Sequence, residues 1–236
     1  MKKVIILQAR FTSTRLPGKV LQQVNGLTIL GWMIRLSREV RGIDEVCVAV
    51  PEGPPHHVVV AEAQKHGATV VTGPEQDVLS RFAIAARATS ADIVMRITTD
   101  CPLADPEIAA EMLKMVVTSG ADYGCNNEPF TFPHGLDCEV FTRNILEVAE
   151  REATDDYDRE HVTPWIKRNK GISKVYLHGP GGDMTSWRWT IDTPDDLEFF
   201  KAVAQGFEHP PSWQEIVKVL EENPHFHEMN RKSRQR

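Results

Sequence analysis

Residues 4–21, VIILQARFTSTRLPGKVL, join an apolar run to a loop rich in basic and hydroxyl side chains. Val4–Leu7 are large and aliphatic, which is typical of a strand buried on both faces of a sheet. The loop contains Arg10, Arg15 and Lys19, and its Pro17-Gly18 turn would bring Lys19 back toward the strand. Because ligands of open α/β sheets bind at the carboxyl ends of the strands, this pattern favours a polyphosphate site over an ordinary solvated loop.

The loop differs from the common phosphate-binding motifs. A P-loop needs G-x-x-x-x-G-K-[ST], but Ser13 stands where its first glycine is required and Val20 follows Lys19. No G-x-G-x-x-G follows the first apolar run either. We therefore expect the basic side chains themselves, helped by neighbouring hydroxyls, to hold the anion.

Short apolar runs alternate with longer segments of helical period along the first part of the chain. This alternation is typical of a parallel sheet covered by helices, so the predicted class is α/β with a mostly parallel sheet. The predicted strands are Val4–Leu7, Val46–Val50, Thr69–Thr72 and Ile93–Ile97. The predicted helices are Leu27–Val40, Val58–His66, Asp77–Ala88 and Pro106–Val117.

The second part of the chain has a less regular pattern. Strands are predicted near Ala121–Cys125, Leu136–Phe141 and Trp187–Ile191. Helices are predicted near Arg143–Glu152, Arg159–Asn169, Pro194–Ala204 and Ser212–Glu222. We expect one domain over residues 1–236, with an irregular acceptor or dimerisation segment around 121–180 and a disordered basic tail at 229–236.

Composition restricts the setting. The chain has 236 residues, 41% of them hydrophobic, which is enough for a full core. No apolar run is long enough to span a membrane and no signal peptide is recognisable, so we expect a soluble cytoplasmic protein. The four cysteines are scattered and are expected to be reduced thiols. A net charge of −6 argues against nucleic acid as a partner.

Two further loops follow predicted strands and carry aspartates. Asp100 follows Ile93–Ile97, and Asp192 follows Trp187–Ile191. Because the carboxyl ends of parallel strands meet at one edge, both acids could face the phosphates held by the first loop, where they would bind Mg²⁺. For Asp192 an equally good interpretation is a helix N-terminus, since Asp-Thr-Pro-Asp-Asp is also a capping sequence.

Several stretches resemble the sugar-acid cytidylyltransferases, the CMP-KDO and CMP-sialic acid synthetases. Gln8-Ala9-Arg10 with the stretch from Ser13 to Lys19 resembles their opening signature, and the stretches 100–103 and 191–198 resemble two later motifs. The chain is most similar to the SpsF-like spore-coat polysaccharide branch, through the stretches 77–82, 132–141 and 159–164. The resemblance spans essentially the whole chain. It implies a Rossmann-like three-layer α/β/α sandwich of the nucleotide-diphospho-sugar transferase type.

The resemblance also implies roles for individual residues. Nucleotide binding is implied for Leu7, Ala9, Arg10, Arg15, Lys19, Arg81 and Thr98, with the backbone near Leu7 and Ala9 facing the pyrimidine. Catalytic roles are implied for Arg10, Lys19, Asp100 and Asp192, the last two as ligands of Mg²⁺. Where KDO enzymes have Gln-Gly-Asp-Glu-Pro, this chain has Thr98-Thr99-Asp100-Cys101-Pro102, so the acceptor need not be KDO.

Acceptor binding is expected outside the nucleotide half of the site. The candidates are His134, Asp137, Glu139, Arg159 and His161. The alternative for Asp137 and Glu139 is the exposed face of a strand, because they alternate with Cys138 and Val140. The alternative for Arg159 is a helix salt bridge with Glu160.

Three functions remain open at this stage. The favoured one is a Mg²⁺-dependent cytidylyltransferase that uses CTP and an acidic small-molecule acceptor for surface polysaccharide biosynthesis, as a homodimer without nucleic acid or membrane partners. The second is a nucleotide-sugar-dependent glycosyltransferase, which would usually show Asp-x-Asp where this chain has Asp100-Cys101-Pro102. The third is a non-catalytic nucleotide-binding module.

Overall fold

A seven-stranded sheet forms the centre of the computed structural model, which describes residues 1–230. The strands are β1 (Lys3–Gln8), β2 (Gln23–Val24), β3 (Leu27–Thr28), β4 (Glu45–Pro51), β5 (Thr69–Gly73), β6 (Ile93–Thr98), β7 (Tyr123–Cys125), β8 (Glu139–Thr142) and β9 (Lys174–Tyr176). The sheet order is β5-β4-β1-β6-β8-β7-β9, while β2 and β3 form a separate hairpin. The first apolar run therefore lies at the centre of the parallel part of the sheet.

The sheet is mostly parallel. Strands β5, β4, β1 and β6 pair in parallel, whereas β8 runs antiparallel to both β6 and β7. Leu7 lies in register with Ile97 on one side and Val48 on the other. All of Val4–Leu7 is fully buried, as the unbroken aliphatic run predicts.

Helices cover both faces of this sheet. They are α1 (Ile29–Glu39), α2 (His57–Lys65), α3 (Val78–Ala88), α4 (Pro106–Ser119), α5 (Arg143–Glu152), α6 (Asp156–His161), α7 (Pro164–Arg168), α8 (Pro194–Ala204), α9 (Trp213–Glu222) and α10 (Phe226–Met229). Short 3₁₀ turns lie at Lys19–Leu21, Pro54–His56 and Gly182–Ser186.

The two faces of β1 belong to two hydrophobic cores. Ile5 and Leu7 pack with α1, α4, α8 and α9, whereas Val4 and Ile6 pack with α3, α5 and α7. This division follows from the alternation of side chains along a strand. The architecture is a three-layer α/β/α sandwich with a mostly parallel sheet, which confirms the predicted fold class.

The prediction of a strand at Trp187–Ile191 is wrong. The segment is extended, but only Arg188 forms an isolated bridge, to His134. The Trp189 N–H donates to the His134 carbonyl at 2.7 Å, and the Ile191 N–H donates to the Asp100 carbonyl at 2.8 Å. Its β-branched and aromatic residues favour extension, but no neighbouring strand continues the ladder.

The predicted helix Arg159–Asn169 is divided in two. Helix α6 ends at His161, and α7 begins at Pro164. Between them Val162 is fully buried with φ +73°, a conformation that a β-branched residue rarely adopts. Smaller differences occur at Leu27–Thr28, which pairs as β3 before α1, and in the Leu136–Phe141 region, where β8 begins only at Glu139.

The last described residues are ordered. Met229 closes α10, and Asn230 is buried and donates to the Arg188 carbonyl at 2.9 Å. The remainder of the predicted basic tail, residues 231–236, lies outside the described residues. Among the described helices, none is both long and apolar enough to cross a bilayer. A homodimer contact within 121–180 stays a prediction.

Candidate active site

The loop after β1 is closed by its own backbone. The N–H groups of Ser13 and Gly18 both donate to the Phe11 carbonyl at 2.9 Å. Gly18 has φ +67°, a left-handed conformation that glycine adopts without steric cost. The chain then enters the 3₁₀ turn at Lys19–Leu21, which returns Lys19 to the end of the sheet.

Two contacts attach this loop to the rest of the protein. The Phe11 N–H donates to Nδ1 of the buried His56 at 3.2 Å, and the Thr12 hydroxyl donates to Glu75 at 2.5 Å. The guanidinium of Arg81 in turn donates to the carbonyls of Pro74 and Glu75. The position of the loop is therefore set by neighbouring elements as well as by its own turns.

Lys19 lies between the two predicted metal ligands. Its Nζ is 3.7 Å from Asp100 Oδ2 and 3.2 Å from Asp192 Oδ1, and it also donates to the Ile191 carbonyl at 2.7 Å. The predicted convergence of the first loop with both aspartates is what the structure shows. These groups come together although Lys19 and Asp192 are 173 residues apart in sequence.

The N-terminus of α8 is capped by Thr193 and Asp196, and not by Asp192. The Asp196 N–H donates to the Thr193 hydroxyl at 3.3 Å, while the Asp196 carboxylate accepts from the N–H groups of Asp192 and Thr193 at 3.0 and 2.9 Å. This is a capping box, which satisfies the helix N-terminus from within. The Asp192 carboxylate is left to face the basic loop.

Three cations surround Asp192. Besides Lys19, Arg15 Nη2 lies 2.9 Å from Oδ1, and Arg188 Nη2 donates to Oδ2 at 2.5 Å. Burial would raise the pKa of Asp192, but the charges of Lys19, Arg188 and Arg15 outweigh burial and hold the pKa below its ordinary value of 3.8. Asp192 is therefore ionised at neutral pH, and a metal ion that binds it would compete with Lys19, Arg15 and Arg188.

Asp100 and Asp192 suit a magnesium ion that is shared with phosphate oxygens. Within residues 1–230, no three His, Cys, Asp or Glu side chains cluster closely enough to hold a metal ion by themselves. Mg²⁺ does not need such a cage, since it usually keeps several waters and binds one or two carboxylates together with substrate phosphates. The two carboxylates beside Lys19 fit this preference.

A first cavity of about 310 Å³ contains these groups. It is lined by the first loop, the end of β6, α3, α6 and Asp192. Of the predicted residues it includes Ala9, Arg10, Arg15, Lys19, Arg81, Thr98, Asp100, His161 and Asp192. Leu7 is fully buried in the core beneath the cavity, so its side chain cannot contact a ligand there.

Arg81 has a mixed environment. It is only 2% exposed, and burial and the nearby charge of Arg10 lower its pKa to about 10. It is still charged at neutral pH. Since its Nη1 is occupied by two carbonyls, Arg81 supports the segment beside the first loop as well as lining the first cavity.

A second cavity, of about 350 Å³, lies beside the first and shares Arg96 and His161 with it. Glu139 lines the second cavity. It is only 2% exposed, so the alternative of an exposed strand face is wrong for Glu139.

The other three predicted acceptor residues lie elsewhere. Arg159 pairs with Asp77 and donates to the Glu150 and Ala153 carbonyls at 2.6 and 3.1 Å, which fixes α6 against the start of α3. His134 Nε2 lies 3.8 Å from Asp137. Burial raises the pKa of Asp137 above 3.8, although His134 and the Gly135 N–H oppose this effect. None of the three is among the residues that line the two cavities.

Sequence reasoning missed several polar residues at the site, among them Gln8, Arg96 and Arg188. Gln8 lines the first cavity, and its Oε1 is buried without a hydrogen-bond partner. Arg96 lines both cavities, and Arg188 holds Asp192. The available signal was position: Gln8 and Arg96 lie at or near the carboxyl ends of neighbouring strands.

Layered α/β folds with a charged cavity at the carboxyl ends of parallel strands are typical of enzymes that bind nucleotides. The cytidylyltransferase family model matches residues 4–219, and the chain belongs to this family, in the SpsF-like branch of the sugar-acid cytidylyltransferase superfamily.

Individual relatives agree with this assignment. The Bacillus subtilis (strain 168) spore coat polysaccharide biosynthesis protein SpsF is 31% identical over 94% of this chain and 95% of its own length. A 3-deoxy-manno-octulosonate cytidylyltransferase of Anaeromyxobacter dehalogenans (strain 2CP-C) is 33% identical over 92% of this chain and 84% of its own. A solved cytidylyltransferase from Leptospira borgpetersenii serovar Hardjo-bovis (strain JB197) has 31% identity, a TM-score of 0.91 and 96% coverage of both chains.

Proposed function

We propose that the protein transfers CMP from CTP to an acidic sugar or a related acid, such as a phosphonate, with Mg²⁺, and releases pyrophosphate. The observation that carries the proposal is the placement of Lys19 within 4 Å of both Asp100 and Asp192, in one cavity with Arg10 and Arg15. A site with concentrated positive charge and two carboxylates suits a triphosphate with its metal.

The triphosphate is bound by the first loop. Arg10, Arg15 and Lys19 neutralise its negative charge, with Ala9 below them at the strand end. Thr98 and Arg81 line the same cavity. Because the loop is fixed by Phe11 and Gly18, its charges are positioned before the nucleotide binds, and little reorganisation is needed.

Gln8 lies where the first loop leaves β1, and it lines the same cavity. Its side-chain amide carries an acceptor and two donors, so it can pair with the edge of a pyrimidine base. We expect Gln8→Leu to lower kcat/KM for CTP about tenfold, because a polar partner of the base would be lost.

The transfer is an in-line displacement. An oxygen of the acceptor forms a bond to the α-phosphorus, the bond from that phosphorus to the α,β-bridging oxygen breaks, and pyrophosphate leaves with the bonding electrons. A hydroxyl acceptor releases its proton to solvent; a phosphonate has none to lose at the attacking oxygen. Mg²⁺ held by Asp100 and Asp192 would supply charge neutralisation on the phosphates. Lys19 and the arginines stabilise the charge that develops on the leaving group.

The relatives support the acidic acceptor and the biosynthetic setting. The name of the Anaeromyxobacter enzyme specifies a sugar acid, and that of SpsF specifies spore coat polysaccharide. We extend both features to this chain as a role in surface polysaccharide biosynthesis, with two copies of the chain as the working unit.

Pyrophosphate release tests the proposal. The purified protein is supplied with Mg²⁺, each of the four nucleoside triphosphates, and a panel of 3-deoxy-manno-octulosonate, N-acetylneuraminate and 2-hydroxyethylphosphonate. Release that needs both CTP and an acid supports the proposal. Hydrolysis of a nucleotide sugar without use of CTP would indicate a glycosyltransferase, and CTP binding without turnover of any acid would indicate a binding module.

A matched pair of variants localises the activity. Asp192→Asn should abolish most of the release, whereas Asp195→Asn, three residues along on the exposed first turn of α8, should behave as the wild type. Equal loss in both variants would contradict the assignment of Asp192.

A further inference from the structure

The second cavity has a composition that the nucleotide does not explain. Its lining is polar and mainly basic, and it opens beside the first cavity through two shared residues, Arg96 and His161. The full lining is Arg96, Asn127, Glu139, Tyr157, His161, Thr163, Pro164, Lys167 and Arg168. A volume of about 350 Å³ is at the lower end of the range for small-molecule sites.

Glu139 is the fixed centre of this cavity. Its Oε2 accepts from Arg96 Nη1 at 2.6 Å. Its Oε1 accepts from the Tyr123 and Thr163 hydroxyls at 2.6 and 2.8 Å, and Lys167 Nζ lies 3.1 Å away. Although burial opposes ionisation, Arg96 and Lys167 lower the pKa of Glu139 to about 2. Glu139 is therefore a carboxylate, and Arg96 is held in one position across the β6–β8 pair.

The cavity lining retains positive charge after these pairings. Arg168 is matched by Asp158, at 2.8 and 2.6 Å. Glu139 is then the one carboxylate among the described lining residues, and it faces two cations, Arg96 and Lys167. Arg96 keeps 15% of its side chain exposed and lines both cavities. A partly exposed guanidinium, in a lining with excess positive charge, suits an anion.

The strained segment between α6 and α7 keeps His161 beside Arg96. Val162 has φ +73° and is fully buried, a conformation that a β-branched residue adopts only where the surrounding structure imposes it. Here the next residue, Thr163, is tied to Glu139. The same carboxylate therefore positions groups on both sides of the junction between the two cavities.

We propose that Arg96, positioned by Glu139, binds the acid group of the acceptor in the second cavity, so that the attacking oxygen faces the first cavity. The inference rests on the proposed function and names its acceptor class: a monosaccharide-sized acid whose carboxylate or phosphonate lies close to the attacking oxygen. Hydroxyls of such a ligand match Asn127, Tyr157 and Thr163 in the lining. Arg96 is a specificity residue, and Glu139 is a positioning residue.

The test separates the KM for the acceptor from the KM for CTP. The acceptor is whichever acid of the panel gives pyrophosphate release with the wild type. Arg96→Gln should raise the acceptor KM about 10- to 100-fold, the range expected for loss of a charge-assisted hydrogen bond, with the CTP KM changed less than threefold. Arg96→Lys keeps the positive charge but loses the two-pronged guanidinium geometry, so its acceptor KM should lie between those of the wild type and Arg96→Gln. Arg151→Gln, an exposed arginine on α5, is the control and should leave both constants unchanged.

Glu139→Gln tests positioning. It should raise the acceptor KM in the same direction as Arg96→Gln while the CTP KM stays near the wild-type value, a split that a general structural defect would not produce. If either variant fails to fold, the wild type still gives an answer, because the primary amide of the active acid should be used at least tenfold less well than the acid itself.

The outcomes distinguish the two proposals. If no acid of the panel releases pyrophosphate with CTP, the proposed function fails and this inference fails with it. If release occurs but Arg96→Gln leaves the acceptor KM unchanged, or changes the CTP KM instead, the inference is overturned and the function stands. Equal use of the acid and its amide would overturn the inference in the same way.

Discussion

Lys19 is the residue on which the geometry of the first cavity depends. It separates two carboxylates that would otherwise repel each other, and it contributes charge toward the phosphates. We expect Lys19→Met to lower the rate of pyrophosphate release about 10²- to 10³-fold, since one preorganised charge at a transferring phosphate has that order of effect. Steady-state kinetics with saturating CTP measures it.

The control for this prediction is Lys65→Met on α2, where the lysine side chain is 69% exposed. It removes the same charge and adds the same apolar side chain away from the site, so its rate should match the wild type. A rate for Lys19→Met within threefold of wild type would contradict the role of Lys19.

Glu139 couples protein stability to pH. Its pKa lies near 2 in the folded protein against an ordinary value of 4.5, and at about 1.4 kcal/mol per pH unit the difference corresponds to about 3 kcal/mol. Because the folded pKa is the lower one, this stabilisation is fully present above pH 4.5 and is lost as the pH falls toward 2.

Urea unfolding of Glu139→Gln at several pH values measures this stabilisation. At pH 7 we expect the variant to be about 3 kcal/mol less stable than wild type, because Arg96 and Lys167 lose their buried partner. The difference should stay constant from pH 7 to pH 5 and narrow below pH 4.5. A difference that does not change with pH would contradict the ionised state of Glu139.

At the scale of single residues, the sequence predicts which side chains reach the site when they lie close to the end of a strand. Arg10 and Asp100 lie within three residues of an apolar run and Lys19 is returned to the same edge by the Pro17-Gly18 turn, and parallel strands bring such positions together. The environment of Glu139 could not be predicted, since its partners Arg96 and Lys167 come from other elements. The alternation of side chains along a strand shows that Asp137 and Glu139 share a face of the strand, but it does not show which face is buried.

The first loop, as an element, depends on the backbone at Gly18. A Cβ there would lie 3.1 Å from the Phe11 ring, and the residue has φ +67°. Gly26 also has positive φ, at +78°, but a Cβ there would meet nothing within 4 Å. Both glycines should therefore have the same backbone cost on substitution by alanine, roughly 1–2 kcal/mol, whereas only Gly18→Ala displaces the loop.

We expect Gly18→Ala and Gly26→Ala to lose comparable stability in thermal unfolding, but only Gly18→Ala to lose activity, by at least tenfold in kcat/KM for CTP. The physical reason is that Lys19 follows Gly18 directly and is aimed by the turn. Equal activities in the two variants would show that the loop tolerates displacement.

Other elements show where local patterns are insufficient. Trp187–Ile191 has the composition of a strand, but a strand also requires a neighbour, and His134 provides only one bridge. The break in the predicted helix Arg159–Asn169 occurs at Val162, which has positive φ, and Pro164 cannot continue the helix because it has no N–H to donate to the carbonyl one turn earlier. The strands and helices of the parallel part of the sheet, up to β6, were predicted from their hydrophobic patterns, whereas the short β2-β3 hairpin before α1 was missed.

For the whole molecule, the sequence predicted a mostly parallel sandwich but not the order of its strands. In the order β5-β4-β1-β6 the first strand lies at the centre, with β4 and β6 on either side of it, and no local pattern specifies on which side a strand is added. The antiparallel β8 between β6 and β7 has no such local signal. Its insertion is what places Glu139 opposite Arg96 and so produces the second cavity.

The first cavity joins the two ends of the chain, so its ligand should stabilise the molecule as a unit. Lys19 from the first loop, Asp100 from the middle and Asp192 near the end contact one another, and global unfolding must separate them. A ligand at one hundred times its Kd adds about 2.7 kcal/mol of stability. For a chain of this size we therefore expect CTP with Mg²⁺ to raise the Tm by about 5–10 °C.

The shift should be smaller with CTP plus EDTA, and smaller again for Asp192→Asn with CTP and Mg²⁺, while Asp195→Asn should match the wild type. An equal shift in the presence of EDTA would show that the nucleotide binds without a metal ion, and would remove Mg²⁺ from the proposed mechanism.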